Sequence, residues 1–138
     1  VSDGVGIELK VKGMDRLVDR MKRFVPAYRK AQEETMRRSG QLMLTRVVYY
    51  ASGGGQGPQV RTGAYVRSIN LEVSPSGWRV YTNAPQARRL EYGFVGTDSL
   101  GRHYSQAPLP HWRPAAAEMR KASVQELKSL PKSVWRSL

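Results

Sequence analysis

Apolar and polar residues alternate near the start of the chain, where Ile7, Leu9 and Val11 are interleaved with Glu8, Lys10 and Lys12. Successive side chains of a strand point to opposite faces, so a period of two predicts a half-buried strand over Gly6–Lys12, ended by Gly13. The period then changes. Met14, Leu17, Val18, Met21 and Phe24 recur at three- and four-residue steps, with Asp15, Arg16, Asp19, Arg20 and Lys22 between them. That is the pattern of a short amphipathic helix. Pro26 predicts a break and the first turn of a second helix, where its missing N–H costs nothing. This second helix runs to about Tyr50, with Tyr28, Ala31, Thr35, Leu42, Met43, Val47 and Tyr50 as its buried stripe. At 1.5 Å per residue it is roughly 37 Å long. Gly40 lies in its middle at a cost of up to ~1 kcal/mol against alanine, which predicts a close packing contact or a kink.

Ala51 to Gln59 reads ASGGGQGPQ, a composition that holds neither helix nor strand and predicts a flexible loop over about 51–60. Thr62 can cap a short helical turn over Gly63–Ser68. Ile69, Leu71 and Val73 predict a second strand, and Trp78, Val80 and Thr82 a third. Pro75-Ser76-Gly77 turns between them, so the pair is an antiparallel hairpin. Pro85–Tyr92 is compatible with another short helix. Residues 93–112 are rich in Gly, Pro and Ser and predict a second long flexible loop, uncommon in a compact domain unless functional. Pro114 opens a last helix to about Leu130, which Pro131 ends, leaving a tail over 131–138 with an exposed Trp135. The fold class expected is α+β: a small antiparallel sheet from Gly6–Lys12, Ile69–Val73 and Trp78–Asn83, packed by one long helix and the C-terminal helix.

Composition narrows the function classes. A chain of 138 residues fits a single domain over 1–138 that needs no covalent staple. It contains no cysteine, which excludes a disulfide scaffold, thiolate zinc sites and a cysteine nucleophile. No apolar run approaches the ~20 residues of a membrane span, and no basic stretch followed by an apolar one suggests a signal peptide. The formal net charge is +12, which suggests polyanions or acidic protein surfaces as neighbours. The excess is spread along the chain without a block of five like charges, unlike a nucleic-acid-binding tail.

Candidate chemistry is sparse. His103 and His111 lie eight apart with only Asp98 nearby, too few ligands for a metal site, and surface histidines are the simpler reading. Glu33-Glu34 and the pair Asp15/Asp19 sit among basic residues on helices, where i,i+4 ion pairing accounts for them. No Gly-x-Ser-x-Gly elbow occurs. Gly53-Gly54-Gly55-Gln56-Gly57 lacks the Gly-Lys-Ser/Thr ending of a phosphate loop and follows a helix rather than a strand. Arg37-Arg38, Arg88-Arg89 and Arg120-Lys121, with Tyr49, Tyr50, Tyr65, Tyr81 and Tyr104, keep DNA binding open. No DNA-binding motif accompanies them.

Three spaced segments resemble one family. Val60-Arg61-Thr62-Gly63-Ala64-Tyr65-Val66-Arg67-Ser68-Ile69 is similar to a segment P-V-R-T-G-x-L-R-x-S-I, with Gln59 where proline is common and Val66 near the leucine position. Arg79-Val80-Tyr81-Thr82-Asn83, followed by Leu90-Glu91-Tyr92-Gly93, resembles a strand leading into Y-A-x-x-x-E-x-G-T. Ala84-Pro85 replaces the tyrosine-alanine there, and the threonine comes only at Thr97. Pro108 to Ala115 resembles P-x-x-x-x-x-P-A at the start of a final helix. Upstream, Val11 to Leu17 looks like a strand–Gly–helix opening. The family is that of the tail-completion (minor tail, neck) proteins of long-tailed double-stranded DNA bacteriophages, and the likeness spans residues 7 to about 130.

The resemblance implies a structural virion protein assembled in the host bacterial cytoplasm, with no catalysis, cofactor or metal. Its copies form a homo-oligomeric ring, a hexamer for example, that joins the head-side connector to the tail-terminator and tail-tube proteins. Genomic DNA passes through such a ring without sequence-specific contact, and no membrane is involved. The assembly interface expected comprises Arg61, Thr62, Gly63, Arg67, Glu91, Tyr92, Gly93, Pro108, Trp112, Arg113 and Pro114. Glu91 is expected in an intersubunit salt bridge or paired with Arg88. Trp112 is expected either to anchor a neighbour or to pack on its own core, given how often tryptophan and arginine carry binding energy. The alternatives are a tail-terminator ring capping the tail tube, or a basic DNA-binding accessory protein.

Overall fold

Two long antiparallel helices make the frame. The computed structural model describes residues 4–138. Helix α1 spans Met14–Ala51 and α4 spans Trp112–Ser137. At 1.5 Å per residue they are about 57 Å and about 39 Å long. Cross-links along their length fix the antiparallel pairing: Arg20 with Trp135, Arg38 with Glu126, Ser39 with Ser123, and Arg46 with Glu118. The core lies between Met43, Val47 and Ala51 of α1 and Ala115 and Met119 of α4, closed by Ile69.

α1 is one helix, without the break expected at Pro26. Proline there removes one backbone bond, but both sides are held. Phe24 stacks on Tyr28 at 5.5 Å, and the edge of Trp135 packs on Phe24 at 5.8 Å. α4 likewise runs through Pro131, so residues 131–137 are not a loose tail. Val134 is buried, the Trp135 ring carries the Arg20 guanidinium 4.5 Å from its centroid, and Arg20 Nη2 donates to Trp135 O at 2.7 Å. Docking of this last turn offsets the ~3 kcal/mol that an interior proline costs.

The hairpin forms as expected, with β1 (Asn70–Ser74) and β2 (Gly77–Tyr81) in the register Leu71↔Val80 and Val73↔Trp78. It lies on α1 at Gly40, where a β-carbon would sit 3.0 Å from both Leu71 Cδ1 and Trp78 Cβ. Gly40 is therefore a close-approach glycine and not a kink. Trp78 Nε1 donates to Ser39 Oγ at 3.1 Å, fastening the sheet to the helix pair. The short helices α2 (Ala64–Arg67) and α3 (Ala87–Tyr92) fall where the sequence places them.

Three further expectations fail. Gly6–Lys12 joins no sheet: Ile7 is 98 % exposed and Leu9 87 %, with the backbone irregular up to the turn at Lys12-Gly13. Residues 93–112 are not one long loop, because β3 (Phe94–Thr97) pairs antiparallel with β4 (His103–Gln106). Asp98 organises their connection. Its carboxylate accepts from Leu100 N and Arg102 N, both at 2.9 Å, and from Tyr104 Oη at 3.0 Å. The glycine stretch after α1 is a packed turn rather than a linker. Gly54 N donates to Tyr49 O at 3.0 Å, and a β-carbon at Gly57 would lie 1.8 Å from Tyr50 O.

Candidate functional site

The chain passes through one junction three times: at α2, at the end of α3, and at the start of α4. Glu91, in the last turn of α3, is 3 % exposed and serves as the cap of α4. Its Oε2 accepts from His111 N at 2.8 Å and Trp112 N at 2.9 Å; its Oε1 accepts from Arg113 N at 2.9 Å and Arg113 Nε at 3.0 Å. The first N–H groups of a helix lack intrahelical partners and carry its positive dipole end, so a buried carboxylate there is satisfied and stabilising. Burial opposes ionisation of Glu91. The three backbone donors and the Arg113 guanidinium outweigh it, holding the carboxyl below the usual carboxylate range. The expected partner was a neighbouring subunit or Arg88; the structure pairs Glu91 with Arg113 and the backbone of 111–113 instead.

His111 is fully buried, contrary to the surface position expected. Its Nδ1 lies 2.8 Å from Leu109 O and 3.2 Å from Glu91 Oε2, and its Nε2 lies 2.5 Å from Tyr65 Oη. With the proton on Nδ1 donated to Leu109 O, Nε2 accepts from the Tyr65 hydroxyl, which in turn accepts from Trp112 Nε1 at 3.1 Å. Carboxylate, imidazole and hydroxyl thus stand in a row. Burial raises the Tyr65 hydroxyl above its ordinary value against the pull of the Trp112 donor, and the Glu91 charge adds to the rise. A hydroxyl so placed is a poor nucleophile at neutral pH. Both Glu91 oxygens are occupied in capping. The row fixes α2 against α4.

Around this buried knot lie most of the residues singled out in the sequence. Arg113 packs its guanidinium 4.8 Å from the Tyr92 ring centroid and donates from Nη2 to Glu91 O at 3.1 Å. Gly93 has φ 79°, and a β-carbon there would come within 2.7 Å of Gln106 O and 3.0 Å of Pro108 N, so only glycine lets the chain pass. Gly63, at φ 76°, precedes α2, and Thr62 Oγ1 accepts from Ala64 N at 3.3 Å. Arg61, Thr62 and Gly63 line an open cleft of about 620 Å³ with Tyr65, Leu90 and Leu109. Pro114 is the third residue of α4. Trp112 is half-buried and packs against the core, so it is an intrachain element of this junction. Arg67 folds back over Gly63 on the exposed side and joins none of these contacts. Exposed around the rim are Arg61, Thr62, Tyr92, Pro108 and Arg113.

Of two central residues, sequence reasoning places His111 on the surface and offers Tyr65 only among the tyrosines that could stack on bases. No local pattern marks them, because their partners are 46 residues apart. Among the described residues no cluster of three His, Cys, Asp or Glu could hold a metal ion. No described helix is long and apolar enough to cross a membrane. No protein-family model, curated protein or solved structure matches this chain.

Proposed function

We propose that this chain is a structural subunit of the neck of a long-tailed bacteriophage, one copy in a ring that completes the tail end and joins it to the head connector. One observation carries the reading. Parts of the three segments that bear the family likeness meet at the junction capped by Glu91: Tyr65 of 60–69, Glu91, Tyr92 and Gly93 of 90–93, and His111, Trp112 and Arg113 of 108–115, while 79–81 lies in β2. A likeness that gathers on one scaffold point is what a shared architecture produces. Its buried members hold the scaffold, and Arg61, Thr62, Tyr92, Pro108 and Arg113 form a rim that a neighbouring copy can contact. In this role the protein needs no cofactor and performs no reaction, and the +12 charge suits a ring that surrounds a DNA channel.

Electron microscopy and light scattering of the purified protein test the reading directly: closed rings in the absence of DNA are the expected result. The same charge also favours a second reading, a DNA-binding accessory protein. A monomer that binds duplex DNA with an affinity falling steeply with salt would replace the neck assignment by that one.

A further inference from the structure

Residues 5–11 form an arm with the chemistry of a strand and no strand to pair with. Val5, Ile7 and Leu9 are 100, 98 and 87 % exposed, a placement that nothing in the single chain offsets. Glu8 and Lys10, two residues apart, form an ion pair at 3.4 Å, so their side chains share one side of an extended segment. The apolar residues alternate with them. An extended segment of this kind, apolar on one side and charged on the other, fits the open edge of a half-buried sheet.

The molecule carries such an edge. β1 is bonded to β2 on one side, and among the described residues no backbone group of Asn70–Ser74 bonds to anything on the other. Leu71 and Val73 face the α1 side of this hairpin while Glu72 faces outward, so an added strand with the arm's pattern continues both faces. Val73 is 43 % exposed there, above a shallow groove of about 360 Å³ whose other wall is Lys30, Glu33 and Arg37 of α1. The outward faces are both charged, the arm's with Glu8 and Lys10 and the hairpin's with Glu72 and Arg79, so Lys10 can meet Glu72 in an exchanged network.

The row Ile7, Leu9 and Val11 cannot lie along this edge in its own chain. The hairpin tip lies over Lys30–Arg37, and its middle over Gly40. Along a helix rising 1.5 Å per residue, Lys30 is about 24 Å from Met14, and Gly40 about 39 Å. The tether is short: at ~3.4 Å per residue, Val11 reaches about 7 Å from Gly13, Leu9 about 14 Å and Ile7 about 20 Å. The sheet edge begins beyond all three, and only Val5, at about 27 Å, comes level with its tip, so the apolar row cannot pair along it. A partner edge must come from another molecule.

We propose that the arm of one copy adds as a third strand to the free edge of β1 in a second copy, so that copies are joined by exchanged arms. This rests on the reading of the chain as a self-assembling subunit.

Because the chain has no cysteine, disulfide trapping in the full chain is clean. Lys10→Cys protein is mixed with Glu72→Cys or Ser74→Cys protein under mild oxidation, with Arg79→Cys on β2 as the control. The expected result is a mixed cross-linked dimer with a β1 cysteine and none with Arg79→Cys. In parallel, Ile7→Glu/Leu9→Glu is expected to weaken self-association at least tenfold in light scattering. Its circular dichroism and unfolding should match the parent, since the arm braces nothing within one chain. Undiminished assembly of Ile7→Glu/Leu9→Glu, or trapping only at Arg79→Cys, would overturn the arm exchange and leave the ring reading standing. A parent protein that stays monomeric at every concentration would overturn both.

Discussion

Glu91→Gln changes almost nothing in shape and removes the charge on which the start of α4 depends. In the native protein four N–H donors point at the two Glu91 oxygens, all between 2.8 and 3.0 Å. Glutamine keeps one oxygen, so two donors meet an –NH2 group that cannot accept. Hydrogen bonds to a charged group contribute about 1.5–3 kcal/mol each, and a buried donor left unpaired costs about 1–3 kcal/mol. The Arg113 side chain is 54 % exposed and can turn to water, so the loss falls mainly on the backbone. A destabilisation of roughly 2–4 kcal/mol follows for Glu91→Gln, and about 3–5 kcal/mol for Glu91→Ala. Urea unfolding measures both. The pH dependence supplies the sharper test. Because the folded carboxyl titrates below its ordinary value of 4.5, its stabilisation is complete above that pH and is lost as pH falls through the depressed folded value. The gap between parent and Glu91→Gln should therefore be widest near neutrality and close in acid, where the protonated carboxyl resembles the amide. A gap below about 0.5 kcal/mol at pH 7, or one unchanged in acid, would refute the capping role.

Other perturbations test other joints. Gly57→Ala drives a β-carbon to 1.8 Å from Tyr50 O and should cost about 2–3 kcal/mol or more; an unchanged urea midpoint would mean that the turn is not packed. Trp112→Phe removes the donor to Tyr65 and a part of the ring, about 1–2 kcal/mol, whereas Trp112→Ala should cost about 3 kcal/mol or more. A Trp112→Phe protein as stable as the parent would deny the indole N–H its part. Trp135→Ala should accelerate amide exchange beyond Pro131 while the amides of 111–113 keep their protection; a uniform loss would show that the end of α4 is not separately held.

Local periodicity made the helices and the β1–β2 hairpin legible in the sequence, and the cost of a mid-helix glycine left a close contact or a kink at Gly40, of which the structure shows the contact. Positions decided by distant partners were not. Pro26 and Pro131 read as helix ends because each removes a backbone bond, yet Phe24, Val134 and Trp135 supply tertiary contacts that carry the helix across. The β3–β4 hairpin was hidden because its strands are four residues long and one is wholly exposed, leaving little apolar alternation to detect. Asp98 and Gly101 were the available turn signal. At the junction, the residue types of Glu91, Trp112 and Arg113 drew attention, but their roles did not follow. A carboxylate that caps a helix beginning some twenty residues later looks in sequence like any other glutamate.

The pairing of α1 with α4 also has a consequence in time. α1 ends at Ala51 and α4 ends at Ser137, so during synthesis the first helix leaves the ribosome well before its partner exists. At about 5–20 residues per second that interval is on the order of ten seconds. Through it, Met43, Val47 and Ala51 have only the nascent hairpin and α2 to cover them. The local β1–β2 hairpin and the Ile69 turn emerge in that window and can shield part of the stripe. The many charged residues along α1 keep the rest apart from other nascent chains. Closure of the core waits for α4, so early termination within it leaves a chain with an open apolar groove rather than a smaller folded protein.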